Sequence, residues 1–565
     1  MLTKIEIKKV PTNNNNMIES HKIEIKCPDG KRVKGYIDKK KGGKDNAPVV
    51  VISHGYGETK RDYISTSYYL ASNGFTVLRY DCLNHLGESD GDMINFTLKD
   101  METSLLNAIG YVRKNFKAAN HGIIASSLSS RVAFKVVAKE KAVKYLIALT
   151  SVVNLQDTLF SLYKEDLMGE YKSGTRWGAL DILGFEVKDD FLHEAIENKY
   201  EDLNSTIADL KHIDIPICYL VAGDDAWIKY KDMKTIYANT LNRDSKFITI
   251  TNALHQIQEN PRLAQMAILK MAGYCREYAL GNNLSNAKLQ KPSIRNIVVQ
   301  NKIETADLKS TFFVTKTDEQ NFWVSYLSKF FMIMKSRDYQ NLLSLIAQLL
   351  GEIEDGCCML DAGCGNGHFG AWLLLNINTT IQKNAAKVHF KYTGLDFAED
   401  ALLDARKVHA DILSKISSTY AKKIKCDFEY IMQDIEEGTI FEDDMFDKIC
   451  CNLVVSYLKD PERALKDLYS KLKPGGRIVV SSLKPYNDLS LIYKNYLDQN
   501  VTPEDILVGR SLLSSAGKIR HREKQGHYHF FSEEELEKMM ARAGFIRVKM
   551  YRAFGNQANV AVAEK

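Results

Sequence analysis

A chain of 565 residues is too long for one hydrophobic core and implies two to four domains. Its 45% hydrophobic and 26% charged residues are those of a globular protein, and a net charge of +5 gives no reason to expect nucleic acid or an anionic membrane as partner. No apolar run is as long as a membrane-spanning helix needs, so none is predicted.

The first residues, "MLTKIEIKKVPTNNNNMIES", lack the apolar core of a signal peptide and read as a frayed leader or an edge strand. From about 20 to 280, short β-branched runs alternate with helical patterns. "NAPVVVISHG", "GFTVLRYD", "HGIIAS", "KYLIALTS", "IPICYLVAG" and "SKFITITN" are the strands. "DYISTSYYLASNG" and "FTLKDMETSLLNAIGYVRKNF" are two of the helices between them. This alternation predicts a mostly parallel sheet covered by helices on both faces. Residues 155 to 212 break the rhythm with aromatic, charged, helix-prone text and are expected to form a cap. The Asn-, Ser- and Lys-rich text from 281 to 315 is expected to be a linker. A second β/α alternation then fills 316–565. It opens on an aromatic stripe, Phe322, Tyr326, Phe330 and Met334, flanked by Trp323, Leu327 and Phe331. Ten cysteines are scattered without zinc-like spacing, and the pairs Cys357–Cys358 and Cys450–Cys451 lie inside apolar runs. They suit reduced core positions and a cytoplasmic protein; no metal is expected.

Within "HGIIASSLSSRV", a strand runs into serines and then into a helix. A nucleophile elbow needs small residues two before and two after the serine. Centring on Ser127 gives Ala125 and Ser129, which fit better than the flanks of Ser126, Ser129 or Ser130. The pattern alone leaves a polar turn equally open. Two later strand ends supply partners in the order that a Ser–acid–His hydrolase needs: Asp225 in "VAGDDAWI", with Asp224 as fallback, and His255 in "ITNALHQIQEN". The "VISHGYGE" loop offers the backbone N–H of Tyr56 as an oxyanion donor beside that of Leu128. His54, in the same loop, is read as shaping it rather than as a base.

In the second half, "CCMLDAGCGNGHFGAWLL" places Asp361, Gly363, Gly365 and Gly367 between a strand and a helix. Glycines there let the backbone approach a ligand at a helix N-terminus. "HFKYTGLD" ends a strand at Asp396, suited to ribose hydroxyls. "CDFEYIMQDIEEG" ends another at Asp434 next to Ile435, suited to adenine. A fourth strand ends at Asn452, and a Lys-Pro-Gly-Gly turn precedes a fifth. His521, His527 and His529 offer substrate-shaping roles, a general base or a metal pair; no third ligand is spaced to support the metal.

Over about 45 to 260, "GFTVLRYDCLNHLGESDG", "IIASSLSSRVAFKVV", "VNLQDTL" and "DDAWIK" resemble the α/β-hydrolase family and, within it, the acyl carrier protein thioesterases or acyltransferases of bacterial bioluminescence operons. The resemblance implies Ser127 as nucleophile, Asp225 as orienting acid and His255 as base. It implies acyl thioesters of acyl carrier protein or coenzyme A as substrates, with the cap compatible with an acyl tunnel. From about 320 to 565 the chain resembles class I S-adenosylmethionine-dependent methyltransferases. That implies S-adenosyl-L-methionine as cofactor and a small-molecule methyl acceptor. Asp361, Gly363 and Gly365 would hold the methionine end, Asp396 the ribose and Asp434 the adenine side, with Asn452 in the loop after the fourth strand. The helix bearing Phe322 and Tyr326 would cover the cofactor. The expected architecture is an α/β-hydrolase domain with a cap (20–280), the linker, and a Rossmann-like methyltransferase domain (316–565). Two rivals remain: a non-catalytic acyl-binding first domain, and a nicotinamide-binding second domain. Joining the two activities suggests an acyl product released and methylated, a methyl ester being the simplest version.

Overall fold

The computed structural model describes residues 17–118, 120–281, 288–311, 315–381, 387–415, 424–489, 492–493, 496 and 502–565. Of residues 1–20, read as a frayed leader or an edge strand, 1–16 lie outside the described residues, and from Ile18 the chain forms an edge strand of the first sheet. The chain divides into two compact units, Met1–Thr311 and Phe312–Lys565.

The first unit is built on an eight-stranded sheet. Its strands are β1 (Ile18–Lys26), β2 (Arg32–Lys40), β3 (Val49–Ser53), β4 (Thr76–Tyr80), β5 (His121–Ser126), β6 (Val143–Leu149), β9 (Ile217–Ala222) and β10 (Lys246–Ile250), in the order β1-β2-β4-β3-β5-β6-β9-β10. β1 pairs antiparallel with β2, and β2 antiparallel with β4. The other neighbours are parallel. The reason is legible in the text: β3 (VVVIS) and β9 (ICYLVA) are buried at every position, as strands covered on both faces must be. The cap holds helices Leu155–Tyr163, Leu167–Lys172, Asp190–Glu197 and Leu203–Leu210. It also contains an antiparallel hairpin, β7 (Ala179–Ile182) with β8 (Phe185–Lys188), which the helix-prone reading of that stretch did not anticipate.

The stretch read as a linker over 281–315 is not plain linker in its second half. Residues Ile294–Thr311 form a helix of the first unit. Its Glu304 reaches Arg79 in β4, at 2.8 and 2.7 Å, while Asp38 of β2 holds the guanidinium from the other side at 2.6 Å. Arg79 and Asp38 are 0% exposed and Glu304 2%. A buried guanidinium needs such partners, and this requirement ties the helix to the sheet.

The second unit has seven strands: β11 (Cys358–Ala362), β12 (Val388–Asp396), β13 (Ile424–Met432), β14 (Phe446–Asn452), β15 (Leu472–Leu483), β16 (Ile546–Ala553) and β17 (Ala558–Glu564). Their order is β13-β12-β11-β14-β15-β17-β16. The first five are parallel and β17 and β16 close the edge antiparallel. The strand order reverses between β11 and β14, and an open α/β sheet binds ligands at the carboxyl ends of the strands flanking such a point. The Lys-Pro-Gly-Gly segment, expected as a turn before the fifth strand, lies inside β15 as a register irregularity against β14. No helix of the described residues is long and apolar enough to cross a membrane. All ten cysteines are free and eight are buried.

Candidate active sites

β5 ends at Ser126 and the next helix starts at Leu128, so Ser127 alone makes the turn. Its φ of 52° and ψ of −122° lie where a non-glycine residue is strained. The amide of Ser127 donates to the carbonyl of Leu149 at 2.9 Å, and its own carbonyl accepts from Val152 at 3.1 Å. Ser129 stands where the usual elbow carries a glycine. Its buried hydroxyl donates to the carbonyl of Ser53 at 2.8 Å and accepts the amide of Ser126 at 3.0 Å. The elbow is thus stapled to the end of β3. Gly55 is required beside it, since a Cβ there would stand 3.0 Å from Ser127 Cβ and 3.3 Å from the carbonyl of Ser126.

Ser127 Oγ lies 3.0 Å from His255 Nε2, and His255 Nδ1 lies 2.8 Å from Asp225 Oδ2. The carboxylate fixes the tautomer: Nδ1–H donates to Asp225, leaving Nε2 to accept from the serine hydroxyl. The other oxygen of Asp225 accepts the amides of Trp227 at 2.8 Å and Ile228 at 3.1 Å, so the acid cannot swing. Asp224, the fallback, is exposed, and its amide donates to the carbonyl of Ala253. Trp227 was not singled out from the sequence. Its ring stacks on His255 at 4.2 Å between centroids and 12° between planes. No spacing rule finds it; only the stack does.

The loop after β3 spends its amides selectively. Gly55 donates to Glu58 Oε2 at 2.7 Å and Gly57 to His85 Nε2 at 3.2 Å, while Glu58 N–H reaches the carbonyl of Gly55. Among the described residues no acceptor takes the backbone N–H of Tyr56 or of Leu128. His54 is buried, with Nε2 accepting from Cys82 N–H at 3.1 Å and Nδ1 2.9 Å from the carbonyl of Gly55. Both ring nitrogens are engaged by backbone. The Tyr56 hydroxyl donates to the carbonyl of Ile182 in the cap hairpin, and its ring meets Phe96, Phe185 and His85. The cap therefore rests on the same loop.

In the second unit Gly363, Gly365 and Gly367 have φ of 76°, 49° and 74°. A Cβ on Gly363 would fall 2.3 Å from Val454. Asp396, at the end of β12, holds this loop: one carboxylate oxygen accepts Gly365 N–H at 2.8 Å, the other Ala398 N–H at 2.9 Å. Burial raises its pKa, and these backbone bonds act against the rise. Asp361 is buried in β11 and accepts the Tyr392 hydroxyl at 2.5 Å; burial pushes it up to about 7. Its protein partner is thus in the sheet. Asp434 caps the short turn after β13 by accepting Glu436 N–H at 3.0 Å. Ile435, read as an adenine contact, is part of the buried core with Leu360, Phe446 and Leu465. Asn452, at the end of β14, accepts from Ser481 at 2.7 Å and faces the Tyr339 hydroxyl at 3.5 Å.

Helix Lys316–Phe330 lies against the glycine loop. The Asn366 amide donates to the carbonyl of Leu327 at 3.0 Å, and Phe330 stacks on His368 at 5.5 Å. Of the aromatic stripe, the side chain of Phe331 lies outside what is described. His409 was also missed: its Nε2 meets the carbonyl of Gly367 at 2.7 Å and its Nδ1 the Tyr430 hydroxyl at 2.6 Å. The chain fits an adenosyl-amino-acid cofactor on three counts. The loop is glycine where side chains would clash, a carboxylate ends β12, and buried Asn366 Oδ1 has no partner among the described residues. His529 is exposed, and no three described His, Cys, Asp or Glu side chains group as a metal site.

A family model described as acyl transferase matches residues 18–268. An acyl transferase of Photobacterium phosphoreum is 30% identical over 250 residues, covering 44% of this chain and 81% of that protein. The chain belongs to the acyl transferase family. A second acyl transferase, from Photorhabdus luminescens, is 32% identical over 226 residues, 38% of this chain and 71% of its own. Among solved structures, Est1E from Butyrivibrio proteoclasticus with ferulic acid bound aligns with 45% of this chain and 98% of its own, at 19% identity and a TM-score of 0.40. A model described as methyltransferase domain matches residues 334–549. The protein is a bifunctional enzyme, an acyltransferase or hydrolase domain fused to a methyltransferase domain with a class I fold.

Proposed function

We propose that the first domain cleaves acyl thioesters, carried by acyl carrier protein or coenzyme A, through an ester on Ser127. The observation that carries this reading is the hydrogen-bonded chain Ser127–His255–Asp225 at a strained strand-to-helix turn. His255 takes the serine proton as Oγ attacks the thioester carbonyl, and Asp225 stabilises the imidazolium. The Tyr56 and Leu128 amides receive the oxyanion. The thiol leaves with the proton from His255, and water or another acceptor resolves the acyl-enzyme. The apolar cap, with Leu159, Leu162, Phe191 and Leu192 buried, supports a hydrocarbon acyl group.

For the second domain, we infer S-adenosyl-L-methionine as the cofactor and a small molecule as the methyl acceptor. Gly363, Gly365 and Gly367 would let the cofactor approach the backbone closely, Asp396 would hold the ribose, and Asp434 and Asn452 would border the site, with Ile435 behind them in the core. The cofactor supplies an electrophilic methyl group. The protein supplies the cradle and the cover, the helix carrying Phe322 and Tyr326. Reduced, mostly buried cysteines support a cytoplasmic setting. Mass spectrometry of the protein after exposure to an acyl thioester, with and without the methyl donor, tests both halves. An acyl adduct mapping to Ser127 and methyl transfer to a small molecule are expected. An adduct on Ser126 or Ser129, or none, defeats the first assignment. Calorimetry that finds NAD binding in place of S-adenosylhomocysteine defeats the second.

A further inference from the structure

We propose that Glu58 is a positioning residue of the hydrolase site: its buried carboxylate ties the loop that offers the Tyr56 amide to the elbow that offers the Leu128 amide. This rests on the thioester-cleaving reading above and deepens it.

The two amides of the oxyanion hole come from different elements. Leu128 begins the helix after Ser127, and Tyr56 lies in the loop after β3. The chain between them runs through β4 and the helix Leu98–Asn115, so covalent order does not hold one against the other. Oxyanion donors act when they are already aimed at the position where the charge develops. Some contact must therefore fix the loop against the elbow before substrate arrives. Ser129 braces the elbow to Ser53, but that brace ends before the loop begins.

Residues 55–58 form a tight turn. Glu58 N–H donates to the carbonyl of Gly55 at 3.3 Å, and the Glu58 side chain folds back to accept Gly55 N–H on Oε2 at 2.7 Å. Tyr56 and Gly57 are its corner residues, Gly57 with a φ of 72°. The hydrogen bond that closes such a turn leaves the amide of the first corner residue unused. The turn thus presents Tyr56 N–H, and the carboxylate fixes its direction. A Cβ on Gly55 would stand 3.0 Å from Glu58 Oε2, so the carboxylate packs directly on that backbone.

The same oxygen carries the tie to the elbow. Glu58 Oε2 also accepts the Tyr63 hydroxyl at 2.7 Å. Tyr63 ends the short turn Lys60–Tyr63, which Asp62 locks by accepting Thr59 N–H at 2.8 Å. Its ring is buried with Val50 and Ile52 of β3 and Ile124 of β5. The Tyr63 oxygen in turn receives the hydroxyl of Ser126, the residue before the nucleophile. Burial and the neighbouring carboxylate raise the Tyr63 pKa well above the ordinary value, so it stays a donor. Glu58 is 6% exposed. Removing it would leave the Gly55 amide and the Tyr63 hydroxyl without their acceptor in a buried place, and the turn free to aim its amide elsewhere.

The test measures hydrolysis of decanoyl-coenzyme A by the full chain and its inhibition by decyl trifluoromethyl ketone. Ser127 Oγ adds to the ketone carbonyl, the serine proton passes to His255, and the carbonyl oxygen becomes an oxyanion in the hole. Loss of one oxyanion donor costs about a hundred- to a thousandfold in kcat. Glu58→Ala, which misaims a donor without deleting it, should lower kcat about thirty- to a hundredfold and weaken the ketone by the same factor. KM should stay within about threefold. Glu58→Gln keeps an oxygen that can accept Gly55 N–H and should stay within about fivefold of the parent chain in both readouts. Tyr63→Phe spares the turn and removes its tie to the elbow. It should lose about three- to tenfold in both readouts, and it decides the matter if Glu58→Ala does not fold. Folded Glu58→Ala or Tyr63→Phe that matches the parent in kcat and ketone affinity would overturn the proposal. So would a loss confined to KM or to the folded fraction, or Glu58→Gln as damaging as Glu58→Ala. A parent chain that neither cleaves decanoyl-coenzyme A nor binds the ketone strikes the thioester-cleaving reading, and the proposal falls with it.

Discussion

Around Ser127 the chemistry is carried by side chains, and around Gly365 by backbone. In the first domain three side chains from three strand ends meet within hydrogen-bond distance, and the backbone serves to aim them. In the second domain the reverse holds: Asp396 spends both carboxylate oxygens aiming the amides of Gly365 and Ala398. A nucleophile must be assembled before substrate arrives, because misplacement by an ångström costs rate. A cradle needs only shape and the right amides, and its ligand brings the reactive group. The first site should therefore fail sharply when one atom is removed, and the second by degrees.

The largest expected effect breaks the comparison at its side-chain end. Ser127→Ala should lower acyl transfer by about a million-fold, the scale for loss of a serine nucleophile. Calorimetric binding of S-adenosylhomocysteine should not change. Activity near that of the parent chain, in a steady-state thioesterase assay, would remove Ser127 from the role proposed for it.

Next in size is a test of what the first unit requires to stand. Glu304→Gln leaves Arg79 with one carboxylate, and breaking a buried pair costs about 3–5 kcal/mol. Denaturant unfolding should show the transition of the first unit lowered by about that amount, with the second unit unmoved. An unshifted transition would mean that Asp38 suffices around that charge.

Asp396→Ala probes the backbone end. Charge-assisted hydrogen bonds are worth about 1.5–3 kcal/mol, so affinity for S-adenosylhomocysteine should fall about ten- to a hundredfold. Thioesterase turnover should be untouched. Unchanged affinity would show that the glycine loop keeps its form without the carboxylate.

Much of this was legible in the sequence, for identifiable reasons. Alternating apolar strands and helices give both parallel sheets, since a strand buried on both faces is a continuous run such as VVVIS. The elbow, Asp225 and His255 follow from chain order at strand ends. What stayed hidden depends on contacts between distant residues. Glu304 reads as one more charge in polar text until Arg79 is placed opposite it. Ile435 sits beside Asp434 in sequence, yet the turn that Asp434 caps directs it into the core. The β7–β8 hairpin was masked because its strands are four residues each, too short for alternation to register. Trp227 and His409 act through a ring stack and a backbone carbonyl, which leave no spacing signal.

Trp227 gives the smallest and sharpest test. Its ring lies flat on the imidazole of His255, and its backbone amide holds Asp225. The two roles separate by substitution, because Trp227→Leu removes the stack and keeps the amide. An aromatic pair contributes about 0.5–1.5 kcal/mol beyond the area it buries. Losing it should lower kcat about two- to tenfold by letting the imidazole wander, with KM little changed. Trp227→Phe, which restores a flat ring, should recover most of the rate. A purely structural role would show instead as lost stability with normal kcat in the folded fraction, so unfolding curves recorded beside the kinetics decide between them. If both variants turn over like the parent, the hydrogen bond from His255 to Asp225 alone orients the base, and the side-chain site is held by even fewer atoms than the stack implies.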